Sequence, residues 1–348
     1  MLLLGVAVLI FARLPAQEIM PQLGTTVAST QGSVATVQQF APDPKSTLPE
    51  PSDYFGFPFD LARQDAPMAT VDYSPDGSRL AFGGGWFNVG GELVVWDLQK
   101  NREVWSRWLG LGTRSVKFSP DGRTLATASF DSSAKLYDAE TGKLLAIFPV
   151  MNTNGTNSVS FSPDGKTLAV GGLHGFVTLW DMTTYRLKTR LEGHGVRIYC
   201  AMWSRDGSMI ASVDKNGLGI VWNANSGEEI TRLRGHGGGI ELVDFTRDSR
   251  WVITGGWDGT VRFWDPKTGQ EQQELRRQAA DGGVMGLATS PDGKTIASAG
   301  FGQSMETYDY TANQAVRFHR AHTDRVYGIC YSPDGKEMAT AAFDGTIK

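Results

Sequence analysis

Three histidines in this 348-residue chain each precede a hydroxyl residue by one fixed interval: His194 before Ser212, His236 before Thr254, and His322 before Thr340. Carboxylates follow two of these pairs at a second fixed interval, Asp258 and Asp344, and indoles follow two, Trp222 and Trp264. A hydroxyl, an imidazole and a carboxylate are the parts of a nucleophilic hydrolase, in which the imidazole takes the hydroxyl proton and the carboxylate orients the ring. A nucleophile is needed once, whereas these sets recur at constant spacing with a tryptophan attached. No G-x-S-x-G elbow, H-E-x-x-H helix or phosphate-cradling glycine loop accompanies them. His319 and His322 are close enough in sequence to share a metal ion, but the repeat position of His322 explains it better. Asn154-Gly155-Thr156 is a glycosylation acceptor only in an exported chain of a glycosylating source, and otherwise a turn. No catalytic, cofactor-binding or metal-binding residue is therefore assigned, and no cofactor is expected.

The elements that position these residues come from a repeat. Ser-Pro-Asp-Gly or a relative begins at Ser74, Ser119, Ser162, Ser204, Thr246, Ser290 and Ser332, with neighbouring markers 42 to 45 residues apart. Proline fixes φ at the first corner of a β-turn, aspartate accepts backbone hydrogen bonds, and glycine takes the positive-φ corner. Apolar residues alternate before each turn, as in Val159 and Phe161 or Val243 and Phe245, and second and third strands follow, such as TLAVGG and FVTLWD. A fourth strand follows turns such as Thr141-Gly142 and Thr268-Gly269. Each unit is thus a four-stranded antiparallel meander with two apolar faces. Radial stacking of such sheets buries both faces and leaves only short edges.

These features resemble the blades of the WD-repeat β-propeller family, in its bacterial-type form. The fullest unit opens on Gly235-His236 and closes on Trp264-Asp265, and the repeat length matches. The resemblance covers residues 53–348 and implies an all-β fold: a seven-bladed β-propeller of four-stranded antiparallel blades, the last blade truncated, with a disordered N-terminal extension. It also implies a buried hydrogen-bond chain from Trp through Ser/Thr and His to Asp, occupied here by His194, Ser212 and Trp222; by His236, Thr254, Asp258 and Trp264; and by His322, Thr340 and Asp344. Only the fifth unit has all four, since Asn216 stands where the fourth unit needs its aspartate and His174 where the third does. The tryptophan position of the last unit falls beyond Lys348, which suggests a piece of a longer reading frame. In the family an N-terminal strand closes the ring, a part that Tyr54–Leu61 suits.

Partner binding is expected on the loops between second and third strands. The residue before each aspartate position is Phe130, Leu173, Lys215, Trp257, Phe301 or Phe343, a broken apolar ring around the channel mouth. In the first unit a longer loop carries Trp86 and Phe87, aromatics of the kind that anchor interfaces. A net charge of −4, small and dispersed, favours no nucleic acid. Cys200 and Cys330 fall in units that are not neighbours, so two buried, unbridged thiols are expected. Leu2 to Ala12 is an unbroken apolar run too short to span a bilayer, so residues 1–17 read as a signal peptide or membrane anchor and 18–52 as a flexible linker. The expected protein is exported (periplasmic or secreted) or membrane-attached, with a cytoplasmic location as the alternative. It is a non-enzymatic, monomeric interaction scaffold for a protein or peptide, touching membrane only through the N-terminal segment. The alternative is a sensor or recruitment propeller within a larger multidomain protein that carries a kinase or other enzymatic domain.

Overall fold

The computed structural model describes residues 38–39, 67–85, 90–150, 155–276, 282–320 and 322–348. Among the described residues there are strands and turns but no helix. Six four-stranded sheets follow one another along the chain, over residues 68–109, 113–149, 156–192, 198–234, 240–276 and 284–320. We number them blades 1 to 6. Within each, strands pair in chain order and antiparallel, as tight turns between consecutive strands require. A seventh sheet holds two strands, Val326–Tyr331 and Met338–Ala342, with one further bridge from Ala341 to Ile347. The architecture is therefore six complete blades and a partial seventh. The signal or anchor expected over residues 1–17 and the closing strand expected over Tyr54–Leu61 lie outside the described residues. Of the linker expected over 18–52, only Gln38–Gln39 is described, as a short strand parallel to Glu271–Arg276 at the outer edge of blade 5.

The marker turns show why each hairpin has its register. Ser74 Oγ donates to Asp76 at 2.6 Å and accepts the Arg79 N–H at 2.9 Å, while Gly77 turns at φ +72°. The same serine–aspartate bond recurs at Ser119, Ser162, Ser204, Ser290 and Ser332, and Thr246 supplies its equivalent. At Ser249 a serine occupies the glycine corner, with φ +57°. These turns also stack: a Cβ on Gly122 would stand 3.5 Å from Pro75, and one on Gly77 the same distance from Pro333. Blade 1 therefore meets the seventh sheet as it meets blade 2.

The core lies between blades rather than within any one of them. Leu233 and Val213 of blade 4 pack with Phe245, Val252 and Trp264 of blade 5, and Met68, Val71 and Phe82 of blade 1 pack with Cys330, Ala339 and Ile347 of the seventh sheet. Each such large side chain, withdrawn from water, contributes about 1.5–3 kcal/mol. Cys200 and Cys330 are buried and unbridged, as their separation in the repeat predicts.

The inner strands share one irregularity that matters for function. Each has a shift of register at its second residue, which falls on Ala69, Arg114, Asn157, Tyr199, Glu241, Met285 and Tyr327. A bulge leaves its extra residue out of the ladder and re-aims its side chain. It prepares the ring of residues described next.

Candidate functional site

Two polar systems stand out, one holding the loops and one exposed on them. In blade 5 the Trp264 indole N–H donates to Thr254 Oγ1 at 2.8 Å, the Thr254 hydroxyl donates to His236 Nε2 at 2.7 Å, and His236 Nδ1–H donates to Asp258 at 3.0 Å. Burial resists ionisation of Asp258, but the hydrogen bonds from His236, the Gly237 N–H and the Thr260 hydroxyl outweigh it and hold the carboxyl well below its usual range. An ionised carboxylate on Nδ1 fixes the tautomer that leaves Nε2 to accept. The imidazole also explains Gly256, since a Cβ there would stand 2.3 Å from His236 Nδ1.

Blade 4 is just as complete, which corrects the expectation that only the fifth unit would be. Trp222 donates to Ser212 at 2.8 Å, Ser212 to His194 at 2.7 Å, and His194 Nδ1–H to Asp214 at 2.8 Å. Asp214 stands two residues before the expected position, where Asn216 is exposed. It reaches the same imidazole from the end of the second strand and caps the loop by accepting the N–H groups of Asn216 and Leu218. The seventh sheet has the chain from Thr340 through His322, at 2.7 Å, to Asp344, at 3.0 Å. Blade 3 has Val170 at the hydroxyl position, and Trp180 donates to Thr178 on its own strand at 3.0 Å. In blade 2 the Thr127 hydroxyl has no hydrogen-bond partner among the described residues, because Leu109 and Tyr137 replace the usual imidazole and indole. Ser212 and Thr254 have 0 % exposure and are bonded on both sides, so neither hydroxyl can meet a substrate. These sets pin the second-to-third-strand loops against the strands behind them.

The exposed system lies on those loops. The six expected rim residues share one backbone bond. Phe130, Leu173, Lys215, Trp257, Phe301 and Phe343 each donate N–H to the carbonyl of the residue just before an inner strand, namely Gly112, Gly155, Arg197, Gly239, Gly283 and Arg325. Their side chains then diverge. Phe130 is buried at 6 % exposure, Leu173, Phe301 and Phe343 are half-buried, and Lys215 is exposed. Trp257 is 46 % exposed, yet it is fixed: its indole donates to Glu241 Oε2 at 3.0 Å, and its ring stacks on Tyr199 at 5.7 Å. Trp86 and Phe87 lie outside the described residues.

Glu241, the bulge residue of blade 5, also accepts from Arg114, the bulge residue of blade 2, at 2.6 Å. The inner strand of blade 2 neighbours those of blades 1 and 3, and the inner strand of blade 5 neighbours those of blades 4 and 6. The ion pair therefore crosses the channel mouth, with side-chain exposures of 14 % and 8 %. Two more bulge residues, Tyr199 and Tyr327, lie within electrostatic reach of it; burial raises both hydroxyls above their usual range, opposed by their bonds with Arg197 and Arg325. Arg325 lies over the Phe301 ring at 4.7 Å and the Phe343 ring at 6.0 Å, bridging blade 6 and the seventh sheet.

The model of the first β-propeller of IFT122 matches residues 60–299, and that of the WD domain, G-beta repeat, matches residues 313–348. The chain belongs to the WD-repeat β-propeller family. It is also similar to the WD repeat-containing protein SL1-17 of Schistosoma mansoni, with 38 % identity over 73 residues. That alignment covers 21 % of this chain and 23 % of the relative, so the chain spans about a quarter of that relative's length.

Within a WD-repeat blade, the loop carrying Trp257 is the one that the His–Asp pair anchors. Asp214, Arg114, Glu241 and Arg325 were not singled out from sequence. Asp214 and Arg114 carry no signal at fixed spacing. The arginines before the inner strands do: they occupy a position seven residues ahead of the marker that is glycine in four units.

Proposed function

We propose that the chain is a non-enzymatic scaffold that grips a protein or peptide partner on the rim bearing Trp257. One observation carries this reading: a large aromatic that is nearly half exposed is held rigid by a hydrogen bond to Glu241 and by a stack on Tyr199. Interface anchors are side chains of this type, because little rotamer freedom is lost when a partner covers them. A channel mouth spanned by Arg114 and Glu241 supports a partner that lies across the rim rather than one that enters the channel. The reading takes the propeller as a monomer with seven four-stranded blades. The blade count is supported by the reciprocal backbone pair of Thr340 and Lys348, at 2.8 and 3.0 Å, which adds pairing beyond the two strands of the seventh sheet. The apolar run from Leu2 to Ala12 supports export or membrane attachment.

The test is cross-linking capture by the full chain, compared with W257A and with I230A, a control on the exposed outer strand of blade 4. A partner that is lost with W257A and kept with I230A supports rim binding. A partner captured equally by all three chains refutes it.

A further inference from the structure

The charges of this rim are unevenly spent. Five of its carboxylates are consumed in holding loops, and a sixth, Asp324, accepts the Arg325 backbone N–H. Glu241 takes Arg114 and the Trp257 indole; Asp214 takes His194 and two backbone N–H groups. Asp258 takes His236, Gly237 and Thr260; Asp344 takes His322, Thr323 and Thr346; and Asp131 takes Lys135 and Ser133. The cations are not consumed in this way. Among the described residues the side chains of Arg197, Lys215 and Arg325 form no ion pair with a carboxylate; Arg197 and Arg325 bond the neutral Tyr199 and Tyr327 hydroxyls, and Lys215 and Arg325 are exposed. The Lys215 N–H bonds the Arg197 carbonyl at 3.1 Å, which sets the two cations together on blade 4. The Arg325 guanidinium lies over two aromatic rings and bonds the Tyr327 hydroxyl, an arrangement that holds its planar fork in place for a planar acceptor. The aromatic pair Trp257–Tyr199 adjoins the blade 4 cations, on the same arc of the rim.

We infer that the rim takes an acidic peptide segment, with carboxylate side chains bound at Arg197–Lys215 and at Arg325 and an apolar side chain laid on Trp257 and Tyr199. This rests on the rim-binding reading above and adds the partner's chemistry. Against an overall charge of −4, these cations give the rim a local charge of opposite sign to an acidic partner. Three cations interleaved with aromatics suit alternating carboxylate and apolar side chains. A nucleic acid strand would instead be expected to meet a continuous run of phosphate contacts.

The full chain, R197E/K215E/R325E and W257A are each panned against an unbiased display library of peptides about twelve residues long, a length that reaches several pockets of an interface. The native chain is expected to select peptides enriched about twofold or more in Asp and Glu around an aromatic or branched apolar residue. A selected peptide, labelled with fluorescein, should bind at least about tenfold more weakly to either variant, and its affinity should fall as salt rises. K215Q/R325Q changes only exposed side chains and provides the same readout if the triple reversal does not fold. Acid-poor peptides that still require Trp257 overturn the acidic partner and leave rim binding standing. Peptides indifferent to both the charge reversal and W257A, or no peptide above background, overturn both. A labelled single-stranded RNA bound more tightly than the best peptide overturns the inference in favour of nucleic acid.

Discussion

Replacing Thr254 with valine keeps the shape of the side chain and removes one hydroxyl from the centre of the blade 5 network. That hydroxyl accepts the Trp264 N–H and donates to His236 Nε2. Trp264 is 1 % exposed and the His236 side chain 0 %, so water cannot replace either bond. A buried polar group left without a partner costs about 1–3 kcal/mol, and T254V leaves two, so the expected loss of stability is about 2–6 kcal/mol. Pairing it with W264F separates hydrogen bonding from packing. W264F alone costs ring volume, but in the double variant the indole N–H no longer exists to be orphaned. T254V/W264F should therefore cost about 1–3 kcal/mol less than the sum of the single changes. Urea unfolding of the full chain and the three variants, followed by circular dichroism, measures the cycle. Additivity within about 0.5 kcal/mol would show that the hydroxyl does not couple to the indole, and the account of the network would fail.

Three further outcomes follow from other groups. R114M strands the Glu241 charge at the channel mouth and should cost about 3–5 kcal/mol, whereas R114M/E241Q should recover most of that loss; urea unfolding distinguishes them. Burial pushes the Cys200 and Cys330 thiols up to about 12, so a thiol reagent at about pH 8 should find almost no thiolate in the folded chain and react with both cysteines in urea. Burial, opposed by Asp344, holds the His322 imidazole below its ordinary value. Between the folded and unfolded values only the unfolded chain binds that proton, so stability should fall as pH drops below about 6.5, and H322Q should flatten this part of the profile measured by thermal unfolding.

The sequence by itself determined the repeat, the meander and the approximate position of the marker turns among the described residues. It could do so because the turn chemistry is local: a Ser-Pro-Asp-Gly corner closes on atoms within five residues, as Ser74 does with Asp76 and Arg79. It also located the His236–Thr254–Asp258–Trp264 set, since hairpins of constant length convert fixed spacing into contact. Only the tertiary structure decided which group fills a role when its usual residue is missing. Asp214 replaces Asn216, and Thr178 takes the bond that Val170 cannot accept, because any side chain that packing brings within range can satisfy a buried donor. Exposure was likewise settled by the ring: equal loop positions buried Phe130 and left Trp257 open. The pairing of Arg114 with Glu241, 127 residues apart, could not be read from the chain, because the bulges that aim these two side chains at each other do so only once the blades stand in a circle.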